Sequence, residues 1–421
     1  MNLLKTSMLS FLATGIKMLS GLVINKAVSV LIGPSGLALI GQLQNSQGLI
    51  RAFAQGGINS GVTKYTAEYA DDTDNTDNTK VIWSTALKIT LLCSIITSIL
   101  MMTFSNEMSK YVFDTEEYSY VFSLFAITIT LFSLNQLVLS ILNGLKEIRT
   151  YISINITQSI VGLILTLVLV YLYGLDGALI ALVTNQSLVS FVLLIKLRKH
   201  NKIIIKNFTS KFDKKTSRRL LNYTLMTLAS TLAVPMSMIF IRNYVGENVS
   251  WDAAGYWQAM NYISSTYLLV ITTALATYYL PRLSEIKLES ELKKELKIGF
   301  LVIVPLVSII SIFVYLLKDF IIWALFTKDF YPMLVLFKWQ LIGNVLKMSS
   351  WLISYLMLSK SMTKEFVISE IAFSASYTFL CFYFVNNMGM EGLSFAYFLN
   401  YLIYFFIMMF WMSRIIRTKY K

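Results

Sequence analysis

Basic residues lie inside long apolar segments of this sequence, where a charge is costly. Seven lie there, and the candidates for a binding site are Lys17, Lys26, Arg51, Arg242 and Lys347; the other two are Lys88 and Lys338. A cation in the core of a bilayer costs roughly 2.5–3.5 kcal/mol on insertion scales, so it normally faces a polar cavity and serves a function. Because acidic residues are scarce near these cations, we predict that they bind an anion within the membrane.

Amide side chains accompany the cations. Around Arg51 they recur every four residues, which places them on one stripe of a helix. Those of the second, eighth and tenth apolar segments are Gln47, Gln55 and Asn59, then Gln258 and Asn261, then Gln340 and Asn344. Either they bind hydroxyl groups of a ligand, or they join neighbouring helices by hydrogen bonds.

Two local features limit how the cations can act. Lys17 and Lys26 are nine positions apart, which is about 180° around a helix. One straight helix cannot present both to the same cavity, so one of them is expected to reach the interface or a different contact. Pro235 precedes Arg242 in the seventh segment, where it either kinks the helix or acts as a hinge.

Glu370 is the deepest acid in the apolar segments and the candidate for coupling to an ion, because coupled carriers normally need a carboxylate at depth. The single histidine, His200, and two distant cysteines cannot form a zinc site, so neither a metal nor a cofactor is expected. The sequence has no glycine-rich phosphate loop and no nucleophile elbow. We therefore predict that the protein is not an enzyme and that ATP bound to this chain does not drive transport.

The composition is that of an all-α integral membrane protein. Of 421 residues, 56% are hydrophobic and only 14% are charged, against about 25% charged residues in a soluble protein. We predict twelve spans, each long enough to cross about 30 Å of hydrocarbon. They are 6–32, 36–65, 81–104, 118–143, 151–173, 178–197, 220–244, 255–280, 298–317, 332–359, 366–385 and 392–415.

The charge of the loops predicts the orientation. The loops after even-numbered spans and the two tails hold twenty-six basic residues, against three in the loops after odd-numbered spans. The positive-inside rule then places both termini in the cytoplasm. Because this topology accounts for most of the net charge of +13, we do not expect nucleic acid as a partner.

The chain divides at its longest basic loop. We predict an N-terminal lobe over 1–198, a basic cytoplasmic linker over 199–219 and a C-terminal lobe over 220–421. A weak repeat supports two halves, since the loop 174–177 (Gly-Leu-Asp-Gly) resembles the loop 389–392 (Gly-Met-Glu-Gly). Six spans in each half give a parallel repeat, of the kind that often encloses a central cavity.

Four stretches carry a resemblance to a known family. They are GPSGL at 33–37, GVTKY at 61–65, SWDAAGYWQ at 250–258 and WQLIGNVLK at 339–347. They resemble the Wzx flippases, near the branch for enterobacterial common antigen and O-antigen. That family belongs to the multidrug/oligosaccharidyl-lipid/polysaccharide exporter superfamily. The resemblance covers nearly the whole chain.

The resemblance implies twelve helices in two pseudo-symmetric six-helix lobes around a V-shaped central cavity. It implies transfer of an undecaprenyl-pyrophosphate-linked oligosaccharide, such as an O-antigen unit for lipopolysaccharide, from the cytoplasmic to the periplasmic leaflet of the bacterial inner membrane. Alternating access would carry out this transfer. The cations would bind the pyrophosphate, and the amides would bind sugar hydroxyls. One position departs from the family pattern, which has an acid where this chain has Asn344.

The expected partners are that lipid-linked substrate, membrane lipids, and a polysaccharide polymerase with its chain-length machinery. Other functions compete with this one. A drug or small-molecule exporter of the same fold would carry acids in its cavity, where this chain carries cations. A membrane-embedded polysaccharide polymerase or ligase would need sizeable periplasmic loops, and the predicted ones are short. A structural scaffold for glycan enzymes would not need charges at depth.

Overall fold

The computed structural model describes residues 3–70, 76–197, 205–279, 282–283, 286, 288–360 and 362–419. Almost all of them are helical. The α-helices are α1 (Leu3–Leu31), α2 (Gly33–Ala54), α3 (Asn59–Ala70), α4 (Thr76–Thr103), α5 (Ser105–Phe113), α6 (Ser119–Gly144), α7 (Ile148–Leu197), α8 (Lys214–Asn248), α9 (Trp251–Ala274), α10 (Glu289–Leu316), α11 (Lys318–Leu325), α12 (Leu334–Ser359), α13 (Thr363–Met388) and α14 (Glu391–Lys419). Residues 199–204 of the predicted linker lie outside the described residues.

Each predicted span lies in a helix or in part of one, except span 2, which is divided between α2 and α3. Within the described residues, eight helical stretches are long and apolar enough to cross a membrane. One of them, Ile148–Ser190, is 43 residues long, about twice the length that one crossing needs. It is part of α7, which contains the predicted spans 5 and 6 with a kink at Gly174 between them. Predicted spans 2, 7 and 8 lie in α2–α3, α8 and α9, which are not among these eight stretches of the described residues.

Two tight turns between helices have the same backbone geometry. Gly174 has φ 57° and ψ −126°, and Gly389 has φ 59° and ψ −140°, values that glycine adopts without steric cost. A Cβ on Gly177 would lie 1.9 Å from the carbonyl oxygen eight residues earlier, and one on Gly392 would lie 2.2 Å from the corresponding oxygen. Each turn therefore needs both of its glycines, and the repeat seen in these loop sequences is also a repeat of structure.

The second predicted span is interrupted. Between α2 and α3, Gly56 and Gly57 have φ of 65° and 62°. The hydroxyl of Thr224 on α8 donates to the freed carbonyl oxygen of Gly56 at 2.5 Å, so a neighbouring helix satisfies the broken backbone. Predicted span 8 is irregular at the corresponding place, since α9 runs into a π-helical turn, Leu275–Tyr279.

Internal packing divides the chain into two compact units. Unit 1 contains Met1–Ile32 and Gln42–Pro235, and unit 2 contains Gly33–Gly41 and Met236–Lys421. One division falls between α1 and α2 and the other two fall inside α2 and α8, at places that differ from the edges of the predicted linker. The predicted lobe boundaries remain a prediction, because a division by packing does not show which segments act together in function.

Apolar side chains fill the core of unit 1. Trp83 of α4 is 3% exposed and packs among aliphatic residues of α3, α6 and α7. Its indole Nε1 donates to Thr66 Oγ1 at 3.0 Å, which satisfies the one polar atom of the ring. Before predicted span 7, α8 begins with a capping hydrogen bond of 2.7 Å from Thr216 N to Asp213 Oδ2, and the hydrogen bonds from Thr216 hold the pKa of Asp213 below its ordinary value.

Unit 2 has its own core and includes the first residues of α2. Its interior is formed by α9, α10, α12 and α14, with Leu352 and Met408 fully buried. The start of α2 joins this unit because Gly255 of α9 lets the two backbones approach closely. A Cβ on Gly255 would lie 1.9 Å from the carbonyl oxygen of Pro34, and Ser35 N donates to Asp252 Oδ1 at 3.1 Å.

Candidate functional site

A polar cavity lies within unit 1, among α1, α6 and the two arms of α7. Its volume is about 600 Å³, in the range of ordinary small-molecule sites. Lys17 and Gly21 line it from α1. Five amide side chains also line it: Gln136, Asn155, Gln158, Asn185 and Gln186. One cation and several amides form a wall that can bind both a charged oxygen and neutral hydroxyl groups.

The amides reach this cavity because small residues let helices approach. Asn185 lies over Gly162 on the opposite arm of α7, where any Cβ would come within 2.1 Å of the Asn185 Nδ2. The Oδ1 of Asn185 is buried and has no hydrogen-bond partner. A buried acceptor without a partner costs free energy unless a ligand supplies a donor, so the cavity wall has capacity for a hydroxyl group.

The cavity distinguishes the two lysines of α1. Lys17 lines it and is exposed, whereas its lining does not include Lys26. This agrees with the expectation that one helix cannot present both to one cavity. No described carboxylate lies within ion-pair distance of Lys17, so its charge is available to a ligand.

Arg51, on α2 in unit 1, is held by neutral groups. Its NH2 donates to Gln47 Oε1 at 2.6 Å, and its guanidinium lies 4.6 Å from the centre of the Phe132 ring on α6. Gln47 is 2% exposed. One turn further on, Asn59 donates to Gln55 across the interruption between α2 and α3. The four-residue spacing seen in the sequence thus becomes two adjacent pairs on one side of this broken span.

Arg242, on α8 in unit 2, has a similar environment. It is 1% exposed, its NH2 donates to Gln258 Oε1 at 2.6 Å, and its guanidinium lies 5.4 Å from the Trp257 ring. Gly41 makes room for this arrangement, because a Cβ there would lie 2.5 Å from the Gln258 side chain. A predicted cation and a predicted amide are therefore partners.

The remaining predicted amides of unit 2 connect helices. Asn344 of α12 is fully buried. Its Nδ2 donates to Ser264 Oγ at 2.9 Å and to Tyr267 Oη at 2.8 Å, and its Oδ1 accepts from Tyr397 Oη at 2.9 Å. Such contacts are those of an amide that joins helices, the alternative that the sequence left open. Gln340 Nε2 makes a longer contact of 3.5 Å to the Asn261 Oδ1 of α9.

Lys347 lies one turn after Asn344, among aromatic rings. Its Nζ is 5.1 Å from the centre of the Trp351 ring, 5.5 Å from that of Tyr401 and 5.9 Å from that of Tyr397. Glu370 of α13 does not form a direct ion pair with it. Both side chains are partly exposed.

Sequence reasoning missed the amides that line the unit 1 cavity. The signal was present, because an amide inside a membrane span is costly and usually functional. It was overlooked because these amides do not recur on one stripe of one helix. They come from α6 and from both arms of α7, so only the packing brings them together.

Comparisons with known proteins now define the class. The fold is that of the multidrug and oligosaccharide exporter superfamily. An inward-facing multidrug resistance transporter of that superfamily matches with a TM-score of 0.79 at 14% identity, covering 96% of this chain and 95% of the other. An outward-facing structure matches with a TM-score of 0.72 at 16% identity, covering 99% and 96%. The predicted all-α fold of twelve transmembrane helices is confirmed.

The family follows from the sequence match. The family model described as "Polysaccharide biosynthesis protein" matches residues 3–287, and the chain belongs to that family. The chain is also 28% identical over 405 residues to the Lipid III flippase of Escherichia coli (strain K12), covering 96% of this chain and 97% of the relative. The resemblance to flippases is thus confirmed. Since the relative is named a flippase and the matched structures are transporters, the prediction that the chain is not an enzyme is confirmed as well.

Proposed function

We propose that this protein is a flippase that moves a lipid-linked oligosaccharide across the bacterial inner membrane by alternating access. The substrate is an oligosaccharide on undecaprenyl pyrophosphate, and it moves from the cytoplasmic to the periplasmic leaflet. The name of the relative in Escherichia coli and the description of the family support this function. The match to both inward-facing and outward-facing structures supports the alternation.

The cavity in unit 1 is the observation that carries the proposal. A sugar presents many hydroxyl groups and little net charge, so it needs amides and hydroxyls rather than a single strong charge. The lining offers five amides together with Ser20, Ser159 and Thr14. Lys17 adds one cation, which would pair with a phosphate at the end of the glycan.

A drug or small-molecule exporter is the competing function, and the character of this cavity argues against it. Exporters of organic cations would place carboxylates at the binding site. The described lining of the cavity contains no aspartate or glutamate.

The predicted set of cations for the pyrophosphate has four further members, whose roles stay predictions. They are Lys26, Arg51, Arg242 and Lys347.

The orientation and the partners belong to the same proposal. With both termini in the cytoplasm, the positive loops would face the leaflet in which the lipid-linked unit is assembled. A polysaccharide polymerase, with its chain-length machinery, would then receive the transferred unit on the periplasmic side.

A reconstituted assay tests the proposal. Purified protein is placed in vesicles with a fluorescent undecaprenyl-pyrophosphate oligosaccharide, and the fraction reached by an impermeant glycosidase is followed over time. The full protein should make the inner-leaflet pool accessible. Lys17→Ala should slow this at least about tenfold, since a charge-assisted hydrogen bond contributes roughly 1.5–3 kcal/mol and about 1.4 kcal/mol is a factor of ten.

Lys338→Ala is the matched control, because that lysine is exposed and its Nζ lies 4.8 Å from the Trp339 ring. It should behave like the unmodified protein. Equal rates for Lys17→Ala and the unmodified protein would remove the cavity from the mechanism. Vesicles that accumulate a cationic dye but leave the lipid in place would favour the exporter.

A further inference from the structure

Hydrogen bonds hold the end of the predicted linker against α4 within unit 1. Ser84 Oγ of α4 accepts from Ser210 N at 3.0 Å, and Lys88 Nζ, one turn further along α4, donates to the carbonyl oxygen of Ser210 at 2.9 Å. Thr85 Oγ1 accepts from Asp213 N at 3.3 Å. Lys88, a cation inside predicted span 3, thus has its partner in the backbone of the linker.

Apolar contacts complete this attachment. The ring of Phe208 stacks on that of Trp83, with the ring centroids 5.8 Å apart. Leu220, in the second turn of α8, is fully buried in the core of unit 1. The chain is therefore fixed to unit 1 both before and after the first turn of α8, so that turn has a defined buried side and a defined exposed side.

The exposed side of this turn is cationic. Ser217 and Leu220 lie on the buried side. The four basic residues of α8 before Leu220 lie within an arc of about 140° that contains neither of them, at 3.6 residues per turn. Together with one lysine of the linker they form an exposed cationic face, which consists of Lys211, Lys214, Lys215, Arg218 and Arg219.

The charge of the cationic face is not cancelled locally. Among the described residues, no carboxylate lies within ion-pair distance of its five side chains. The one acid in the stretch 211–219 is Asp213, which accepts the capping hydrogen bond of α8 from Thr216 N. Five basic residues and one acid leave the stretch with a net charge of +4.

Apolar side chains beside the cationic face place it at the edge of the bilayer. Predicted span 7 begins directly after Arg219. Phe212 is 46% exposed, and Leu221, three residues after Arg218, is 44% exposed. An exposed aromatic ring next to cations suits the lipid–water interface, where rings lie at the level of the headgroups and cations reach phosphate. The combination favours a lipid over a soluble acidic partner.

We propose that the cationic face binds the headgroups of anionic phospholipids in the adjacent leaflet. A cluster of four or more basic residues next to a transmembrane helix attracts an anionic membrane surface. The attachment to α4 fixes the backbone that carries these cations, so less conformational entropy is lost on binding. The ligand is membrane lipid rather than a transported substrate, so this inference goes beyond the proposed function and does not depend on it.

The test measures which lipid lies beside the cationic face. In a background with Cys93 and Cys381 replaced by Ser, Leu221→Cys is labelled with bimane, and the protein is placed in nanodiscs of phosphatidylcholine at low salt. Separate samples contain increasing fractions of phosphatidylglycerol or of phosphatidylcholine with a nitroxide near the head of one acyl chain. Labelled phosphatidylglycerol should give equal quenching at a fraction at least about fivefold lower, since one cation near an anionic surface changes binding about fivefold.

High salt and substitutions identify the charge as the cause. High salt should remove the preference, because exposed charges are screened. Replacing the four cations of α8 should make both lipids quench equally. That variant carries Lys214→Gln, Lys215→Gln, Arg218→Gln and Arg219→Gln. Arg218→Lys together with Arg219→Lys should keep the preference, because the charge is retained.

Tyr171→Cys, labelled in the same way, is the control position. Tyr171 is 78% exposed at the end of predicted span 5, and no basic residue lies within one turn of it in the sequence. Both lipids should quench this label equally. Thermal unfolding of each variant verifies that it remains folded, and if the four-Gln variant does not fold, the salt dependence at Leu221→Cys decides.

Equal quenching of Leu221→Cys by the two lipids would overturn the proposal. A preference that survives high salt, or one that is as large at Tyr171→Cys, would overturn it too. Soluble polyglutamate is added to unlabelled discs as a last comparison. If the bimane responds to polyglutamate but shows no preference for phosphatidylglycerol, the cationic face binds an acidic protein segment instead of lipid.

Discussion

At the scale of single residues, neutral groups hold the buried cations. Arg51 donates to an amide and lies beside an aromatic ring, and Arg242 donates to an amide beside an indole ring. A direct carboxylate partner would cancel the charge locally and leave little attraction for a ligand. An amide oxygen offsets part of the cost of burial while the positive charge remains.

Arg51→Ala should abolish surface polysaccharide in cells, while the protein stays in the membrane in normal amount. The reason is the loss of a cation that has no described carboxylate within ion-pair distance. Arg51→Lys should restore function only in part, because an ammonium lacks the planar group that lies over Phe132. The measurement is polysaccharide staining together with immunoblots of membranes.

Lys110→Ala serves as the control, because Lys110 is exposed in α5. It should leave both the polysaccharide and the amount of protein unchanged. Normal polysaccharide in Arg51→Ala would remove this arginine from the mechanism.

Asn344→Leu should lower the melting temperature of the purified protein. The substitution removes the hydrogen bonds to Ser264, Tyr267 and Tyr397 and leaves the buried hydroxyl of Tyr397 without its acceptor. A buried polar group without a partner costs about 1–3 kcal/mol. Asn387→Leu is the control, since that exposed amide bonds only to the carbonyl of Tyr383 on its own helix. Equal melting temperatures for the two variants would show that the network around Asn344 contributes little to stability.

At the scale of elements, glycines decide where helices turn and where they break. The turns at Gly174 and Gly389 repeat one geometry, and the positive φ of Gly56 and Gly57 separates α2 from α3. Comparing the loops 174–177 and 389–392 with each other predicted the repeated turn, because their glycines recur at the same spacing. It did not predict the interruption of span 2 at Gly56 and Gly57.

Gly177→Ala and Gly392→Ala should destabilise the protein to a similar extent. In both cases the new methyl group would overlap a backbone carbonyl oxygen, and overpacking of this kind costs about 1–3 kcal/mol or more. The measurement is the melting temperature and the yield of monodisperse protein. Gly15→Ala should be tolerated, because nothing lies within 4 Å of its Cβ position. If only one of the two turns proved sensitive, the two turns would not be structurally equivalent.

At the scale of the whole molecule, each unit has its own polar interior. Unit 1 contains the cavity lined by Lys17, and unit 2 contains the cluster around Asn344 and Lys347. The uneven distribution of basic loops predicts how both units are oriented in the membrane.

Cysteine labelling tests this orientation. In a background with Cys93 and Cys381 replaced by Ser, Glu116→Cys and Lys211→Cys place single thiols at exposed loop positions. An impermeant maleimide should label Glu116→Cys in intact spheroplasts and Lys211→Cys only after lysis, because the positive-inside rule places them on opposite sides. The reverse pattern would place the termini in the periplasm.

The sequence by itself determined the twelve spans and their predicted orientation, because span length and loop charge are local properties of the chain. It also identified the cations, since a charge in an apolar segment can be recognised without knowledge of its neighbours. Only the tertiary structure decided what those residues contact. Gln136 and Gln186 line one cavity, and Asn344 meets Tyr397, although each pair is about fifty residues apart (50 and 53). Which face of a helix meets a given neighbour depends on how the helices pack, and the period of one helix does not specify it.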